Sequence, residues 1–275
     1  MTEYYRRVGE YFDEDAEEFD ERYWTNTVIQ RIRQVFREEV KRHPFQSALD
    51  VGCGSGLDLV HFGTIYPDRT VHGIDVSERR IEIACDRIEA SGCTNVKAVV
   101  ASVEDAPKIL GTGAFDLVYV FFGALNTVED LNLAADRLYT ATAPGGYLIL
   151  TFVNRYYLAD VAIGLIRGRW KHAFRRFRPV WGGYSTERFL PSRCATPQEV
   201  RRAFGRGGRE INRRGFSITY PAWYRHRWLP KLRRAGEWLW ELDRWLNHTP
   251  AWCAGEYILF VFRKDTDADV TAEAP

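Results

Sequence analysis

Three glycines and two carboxylates carry the most legible chemistry in this chain. In Leu49-Asp50-Val51-Gly52-Cys53-Gly54-Ser55-Gly56 an apolar run ends in a Gly-x-Gly-x-Gly turn, and the helix-compatible Leu57-Asp58-Leu59-Val60-His61-Phe62 follows. That order reads as strand, turn and helix. Glycine lets a backbone approach a ligand closely, because it has no Cβ to collide and tolerates positive φ. Asp75 closes the next apolar run, Val71-His72-Gly73-Ile74, where a carboxylate accepts hydrogen bonds from both hydroxyls of a ribose. Asp50 stands at the end of the first strand, where its charge would repel a pyrophosphate and attract a cationic amine. The two acids together point to a nucleoside with a positively charged amino-acid portion, which is the chemistry of S-adenosylmethionine.

On these residues the chain resembles a class I S-adenosylmethionine-dependent methyltransferase of the small-molecule type. The glycine turn resembles the family's first motif, and Gly73-Ile74-Asp75-Val76-Ser77 its second. Val99-Val100-Ala101-Ser102-Val103-Glu104-Asp105 resembles the segment around the adenine. Phe115-Asp116-Leu117-Val118-Tyr119-Val120-Phe121-Phe122 resembles the fourth strand and its exit, and Pro144-Gly145-Gly146-Tyr147-Leu148-Ile149-Leu150 the turn into the fifth. The resemblance implies a Rossmann-like α/β fold: a seven-stranded, mostly parallel sheet with helices on both faces and a helical substrate cap. It further implies cofactor contacts from Asp50, Gly52, Cys53, Gly54, Asp75, Val76, Ser102, Val103, Glu104, Phe121 and Phe122. Ser102 departs from the commonest pattern, which has Asp there; a hydroxyl accepts from the adenine amino group more weakly than a carboxylate does.

These residues must be held by a framework, and alternating patterns supply one. Strands are predicted over 48–51, 70–74, 96–100, 115–121 and 147–153, with helices over 77–91 and 129–142 between them. That alternation predicts a parallel sheet covered on both faces, with Asp50, Asp75, Ser102 and Phe121 at the carboxyl ends of strands, where such sheets bind ligands. Residues 1–46 show helical spacing and read as an N-terminal lid; 47–153 form the cofactor-binding core; 154–264 hold cap insertions and the final two strands; 265–275 read as a flexible tail. Within the third part, Thr196-Pro197-Gln198-Glu199 is a capping box. Residues 216–220 and 256–263 read as the last strands, and Trp228, Leu232, Ala235, Leu239, Leu242 and Leu246 as one helical stripe.

Charge divides the chain in the same way. Residues 1–154 carry 15 Lys and Arg against 25 Asp and Glu; residues 155–234 carry 20 against 4; residues 235–275 carry 3 against 8. The basic block begins where the cofactor motifs end, and Trp, Tyr and Phe interleave with its arginines. Arginine forks onto carboxylate or phosphate and aromatic walls enclose a planar or greasy body. The expected reaction is therefore methyl transfer to an oxygen, or else a nitrogen, of a small anionic or aromatic, lipophilic molecule. An RNA or DNA methyltransferase using the basic region, or a non-catalytic cofactor-binding scaffold, are the alternatives. Against a nucleobase-amine acceptor, no Asn-Pro-Pro-Tyr or Asp-Pro-Pro-Tyr follows the fourth strand. Against pyrimidine-carbon methylation, no Pro-Cys pair occurs.

Methyl transfer needs chiefly alignment of the acceptor behind the methyl, and a base only when the acceptor arrives protonated. Asn126, Tyr184 and His226 are the candidate acceptor-side residues. No metal-ligand cluster is visible. Five cysteines in no Cys-x-x-Cys spacing predict neither a disulfide framework nor a zinc site. No apolar run reaches spanning length and Met1-Thr2-Glu3-Tyr4-Tyr5 lacks a signal-peptide core, which predicts a cytoplasmic protein without a transmembrane segment and leaves peripheral membrane contact open.

Overall fold

The computed structural model describes residues 1–185 and 188–266. Its first half reads α1 (Glu3–Asp13), α2 (Ala16–Thr25), α3 (Thr27–Lys41), β1 (Ser47–Val51), α4 (Leu57–Ile65), β2 (Thr70–Asp75), α5 (Glu78–Ser91), β3 (Val96–Val100), α6 (Ala106–Leu110) and β4 (Phe115–Val120). Then come α7 (Leu131–Ala141), β5 (Thr142–Val153), α8 (Leu158–Ile166), α9 (Trp170–Ala173), α10 (Pro197–Phe204), β6 (Gly208–Phe216), α11 (Leu229–Leu232), α12 (Arg234–Leu246) and β7 (Tyr257–Lys264). The seven strands form one sheet in the order β3-β2-β1-β4-β5-β7-β6. β1 to β5 are parallel, and β7 and β6 join antiparallel at one edge. Strand order reverses between β1 and β4, which opens a crevice at their carboxyl ends.

Two cores sandwich the sheet, because alternate side chains of each strand point to opposite faces. From β4, Val118 and Val120 join Leu138, Val200 and Phe204 on one side. Leu117 and Tyr119 join Val28, Ile32, Phe36, Leu59 and Phe62 on the other. Each fully buried side chain of this size contributes about 1.5–3 kcal/mol relative to exposure. Helix starts follow the sequence signals. Ser77 caps α5 by accepting from the Arg80 N–H, Asp130 caps α7 and Asn26 caps α3. Thr196 and Glu199 form the predicted capping box at α10.

Two expectations are corrected. The sixth strand is Gly208–Phe216 and not 216–220. Its outer face is polar because it lies at the sheet edge, while residues beyond it turn away: Ser217 has φ +55°, and the Asp243 carboxylate accepts from the N–H groups of Ile218, Thr219 and Tyr220. The stripe from Trp228 to Leu246 is not one helix; Arg233, at φ +46°, breaks it into α11 and α12. Residues 267–275, most of the predicted tail, lie outside the described residues.

Candidate functional site

The glycine turn is built as its spacing suggests. Gly52, Gly54 and Gly56 have φ of +76°, +55° and +78°, a region that side chains with a Cβ rarely adopt. Space forbids a side chain as well: a Cβ on Gly52 would lie 2.4 Å from the Ala124 Cβ. The Gly52 and Cys53 N–H groups donate to the Ile74 carbonyl at 2.8 and 3.0 Å, locking the turn against the end of β2. Asp75 then accepts from the Gly54 N–H at 2.9 Å through one carboxylate oxygen and from the Ser77 N–H at 3.0 Å through the other. One lone pair on each oxygen remains for two vicinal hydroxyls.

Around this turn opens a cavity of about 570 Å³. Asp50, Gly52, Cys53, Gly54, Asp75, Val76, Val103, Phe121 and Phe122 all line it. Burial pushes the Asp50 carboxyl well above the usual range, the nearby Asp58 adds to this, and the Arg33 guanidinium opposes it. A cationic amine placed there would restore the carboxylate. Burial, with Asp50 and Asp75 adding to it, also raises the Cys53 thiol. Ser102 and Glu104 differ from expectation, since neither lines the cavity. The Ser102 hydroxyl is turned to the Asp105 carboxylate at 2.9 Å in the turn that opens α6, and Glu104 accepts from the Tyr5 hydroxyl at 2.8 Å. Ala101 and Val103 form that wall instead.

The N-terminal helices lie over this end of the cavity. Gly9 of α1 packs so closely on the exit of β2 that a Cβ would meet the Val76 carbonyl oxygen at 2.5 Å. Asp13 accepts from the Ser77 hydroxyl at 2.6 Å, and Asp20 from the Ser55 hydroxyl at 2.5 Å. The acidic run faces arginines on both sides: Arg80 of α5 reaches Asp15 at 3.1 Å, and Arg188 of the cap reaches Glu14 at 2.7 Å. Tyr5, Tyr11, Phe12 and Tyr23 face the cavity from these helices.

Beyond Phe122 the cavity changes character. Phe122 itself has φ +52°, a strained conformation for an aromatic residue, of the kind that concentrates at ligand sites. Trp181, Tyr184, Trp223 and Tyr257 continue the wall, with Tyr184 edge-on to Trp181 and Trp223 at centroid distances of 4.5 and 4.9 Å. The Trp181 indole N–H is buried without a partner among the described residues. Arg33 lines the cavity too, 4.7 Å from the Tyr23 ring and 4.8 Å from the Phe122 ring. Its guanidinium also donates to the buried Asp58, which accepts from Arg37 at 2.6 Å.

The three acceptor-side candidates fare differently. Tyr184 is on the wall, but its hydroxyl is taken up by the buried Glu256, to which it donates at 2.9 Å. Asn126 lines the cavity, yet its amide is occupied by backbone: Oδ1 accepts from the Val153 N–H at 2.8 Å, and Nδ2 donates to the Val153 and Arg193 carbonyls at 3.1 and 2.7 Å. It fastens the cap to the end of β5 and is not free to orient an acceptor. His226 lies off the cavity, since Nδ1 sits 2.9 Å from the Trp223 carbonyl of its own short turn. Sequence reading missed Arg33, Trp181, Trp223, Tyr257 and Glu256. A signal existed for Arg33 alone, which interrupts the apolar stripe of α3 next to Ile32. Glu256 is fully buried with Arg176 and Asp160, the half-buried Arg225 lies nearby, and burial lifts its carboxyl to about 7.

Residues 43–191 match the family model described as a methyltransferase domain, more than half of the chain, and the chain belongs to that family, the class I S-adenosylmethionine-dependent methyltransferases. Its cofactor is S-adenosylmethionine. The residues present fit it: a ribose-type acceptor at Asp75, an acid for the amine at Asp50, and a turn free of side chains between them. Among curated relatives, the chain is 28% identical over 149 residues to the demethylmenaquinone methyltransferase of Geobacillus kaustophilus, covering 52% of this chain and 61% of that one. It is 27% identical over 133 residues to the tRNA (guanine-N(7)-)-methyltransferase of Rubrobacter xylanophilus, covering 46% and 60%. The chain thus spans about three fifths of the length of these relatives. Among solved structures, the [4+2]-cyclase SpnF superposes with TM-score 0.62 at 16% identity, covering 95% and 96%. An S-adenosylmethionine-dependent methyltransferase of Thermotoga maritima gives 0.59 at 16%, covering 94% and 100%. A cyclase and a methyltransferase both superpose on this chain, so the fold alone does not decide the chemistry.

Proposed function

We propose that this chain methylates an oxygen, or next a nitrogen, of a small aromatic or lipophilic molecule that carries an anionic or hydrogen-bond-accepting group. One observation carries the reading: the cavity that begins at the glycine turn continues without a break into a wall of Phe122, Trp181, Tyr184, Trp223 and Tyr257. In this reading Asp75 and Asp50 hold the ribose and the amino group of the cofactor. The bound cofactor supplies an electrophilic methyl group. The rings clamp a flat acceptor and exclude water, so that the acceptor atom is held in line for attack. The Trp181 N–H and the Arg33 guanidinium offer donors to its polar group.

The test is a product trap. Purified protein, methyl-labelled cofactor and a small-molecule extract are incubated, and labelled products are identified by mass spectrometry. A labelled aromatic or lipophilic product, lost in Trp181→Ala while cofactor binding persists, supports the reading. Label appearing only in nucleic acid or protein added in parallel overturns it.

A further inference from the structure

The stretch 158–180 presents to solvent what a protein surface ordinarily avoids. Ile166 is 85% exposed and Trp170 65% exposed, and Leu158, Phe174, Phe177 and Val180 are exposed with them. So many exposed apolar side chains within one short stretch suit a contact surface. The rings cluster: Phe174 and Phe177 lie 5.9 Å apart, and Tyr156 is 6.2 Å from Phe177. Arg167, Arg169, Lys171 and Arg178 are exposed among them, and no Asp or Glu occurs from 161 to 186. None of these four cations makes an ion pair among the described residues.

This stretch is firmly anchored. Gly164 of α8 meets α9 so closely that a Cβ would lie 2.7 Å from the Ala173 Cβ. Arg176, buried, holds Asp160 at 3.5 Å and Glu256 at 3.4 Å. On its inner side the Arg176 guanidinium lies 5.2 Å from the ring of Trp181, which walls the cavity. The exposed patch is therefore the outer skin of the acceptor end of the site.

We infer that the surface of 158–180 docks this protein on an anionic phospholipid membrane. Unpaired cations seek negative headgroups, while Trp170, Phe174 and Phe177 suit the interfacial zone and Ile166 and Val180 the acyl boundary. A nucleic acid would satisfy the cations and stack on rings; it would leave Ile166, Leu158 and Val180 in water. A second copy meeting the same face would set like charges against each other. The membrane satisfies both halves of the patch. The inference extends beyond the proposed acceptor chemistry and does not require it.

The test is co-sedimentation of the full chain with phosphatidylcholine vesicles, with and without phosphatidylglycerol. Binding is expected only with phosphatidylglycerol, falling as salt rises. Arg169→Glu combined with Lys171→Glu should lower the partition coefficient roughly tenfold or more, since each cation near such a surface contributes several-fold. Ile166→Glu combined with Trp170→Glu should lower it similarly while cofactor affinity and melting temperature stay unchanged, because all four side chains are exposed. Absence of vesicle binding, or binding indifferent to both double variants, overturns the inference. So does binding of a duplex RNA, but not of vesicles, that the charge variant abolishes, or self-association in light scattering that Trp170→Glu abolishes.

Discussion

The two ends of the cavity are built on different plans. The cofactor end is local: Asp50, Gly52 and Gly54 come from five consecutive residues, and Asp75 follows on the neighbouring strand, paired in register with β1. The aromatic end, where we propose the acceptor binds, is dispersed, drawing Phe122 from the exit of β4, Trp181 and Tyr184 from the cap, Trp223 from a short turn and Tyr257 from the last strand. Local sites depend on backbone conformation and dispersed ones on packing. Substitutions should therefore fail in different ways at the two ends.

The largest effect is expected at the turn. Gly52→Val places a β-branched side chain at φ +76° and against Ala124, so cofactor binding should vanish in calorimetry while circular dichroism retains the α/β signature. Trp181→Ala should separate the two ends. The Michaelis constant for the acceptor should rise on the order of tenfold or more, as for loss of a buried aromatic contact, with cofactor affinity unchanged. If both constants move together, the cavity is one site and not two.

A third prediction concerns the buried charges behind the aromatic wall. Glu256 is lifted from 4.5 to about 7, first by burial, with Asp160 adding to the shift and Arg176, Arg225 and the Tyr184 hydroxyl opposing it. A raised carboxyl favours the folded state while protonated, so its contribution is full below about pH 4.5 and is lost as pH rises through about 7. Glu256→Gln mimics the protonated form. Its melting temperature should track the wild type at acid pH and exceed it above neutrality; a constant difference across that range would show that Glu256 does not titrate there. The smallest expected effect is Asn26→Ala, which removes the cap of α3 and should cost about 1 kcal/mol in denaturant unfolding.

The same contrast explains what was legible in the sequence. The turn, both strand-end acids, the positions of the first five strands and the capping box at Thr196 were readable because each depends on residues close together in the chain. Ser102 misled, because a hydroxyl at a strand end can serve its own backbone and Asp105 as readily as a ligand. The edge strand Gly208–Phe216 has no hydrophobic alternation to mark it, since Arg209, Glu210, Asn212, Arg213 and Arg214 put polar side chains at consecutive positions on both of its faces. Trp181, Trp223 and Tyr257 carry no local signature at all; they meet only because β7 returns beside β5 and the cap folds over that edge. Glu256 reads as an ordinary surface acid until Arg176, eighty residues away, is brought to it.

Asp75 is the residue on which cofactor binding should depend most directly. Isothermal calorimetry of S-adenosylmethionine and its demethylated product should show saturable binding to the wild-type chain. Asp75→Ala should lose about 1.5–3 kcal/mol, the worth of hydrogen bonds to a charged group, with the exposed Asp68→Ala as the control that loses nothing. Unchanged affinity in a folded Asp75→Ala protein would contradict the placement of the cofactor's ribose, and with it the division of the cavity into a cofactor end and an acceptor end.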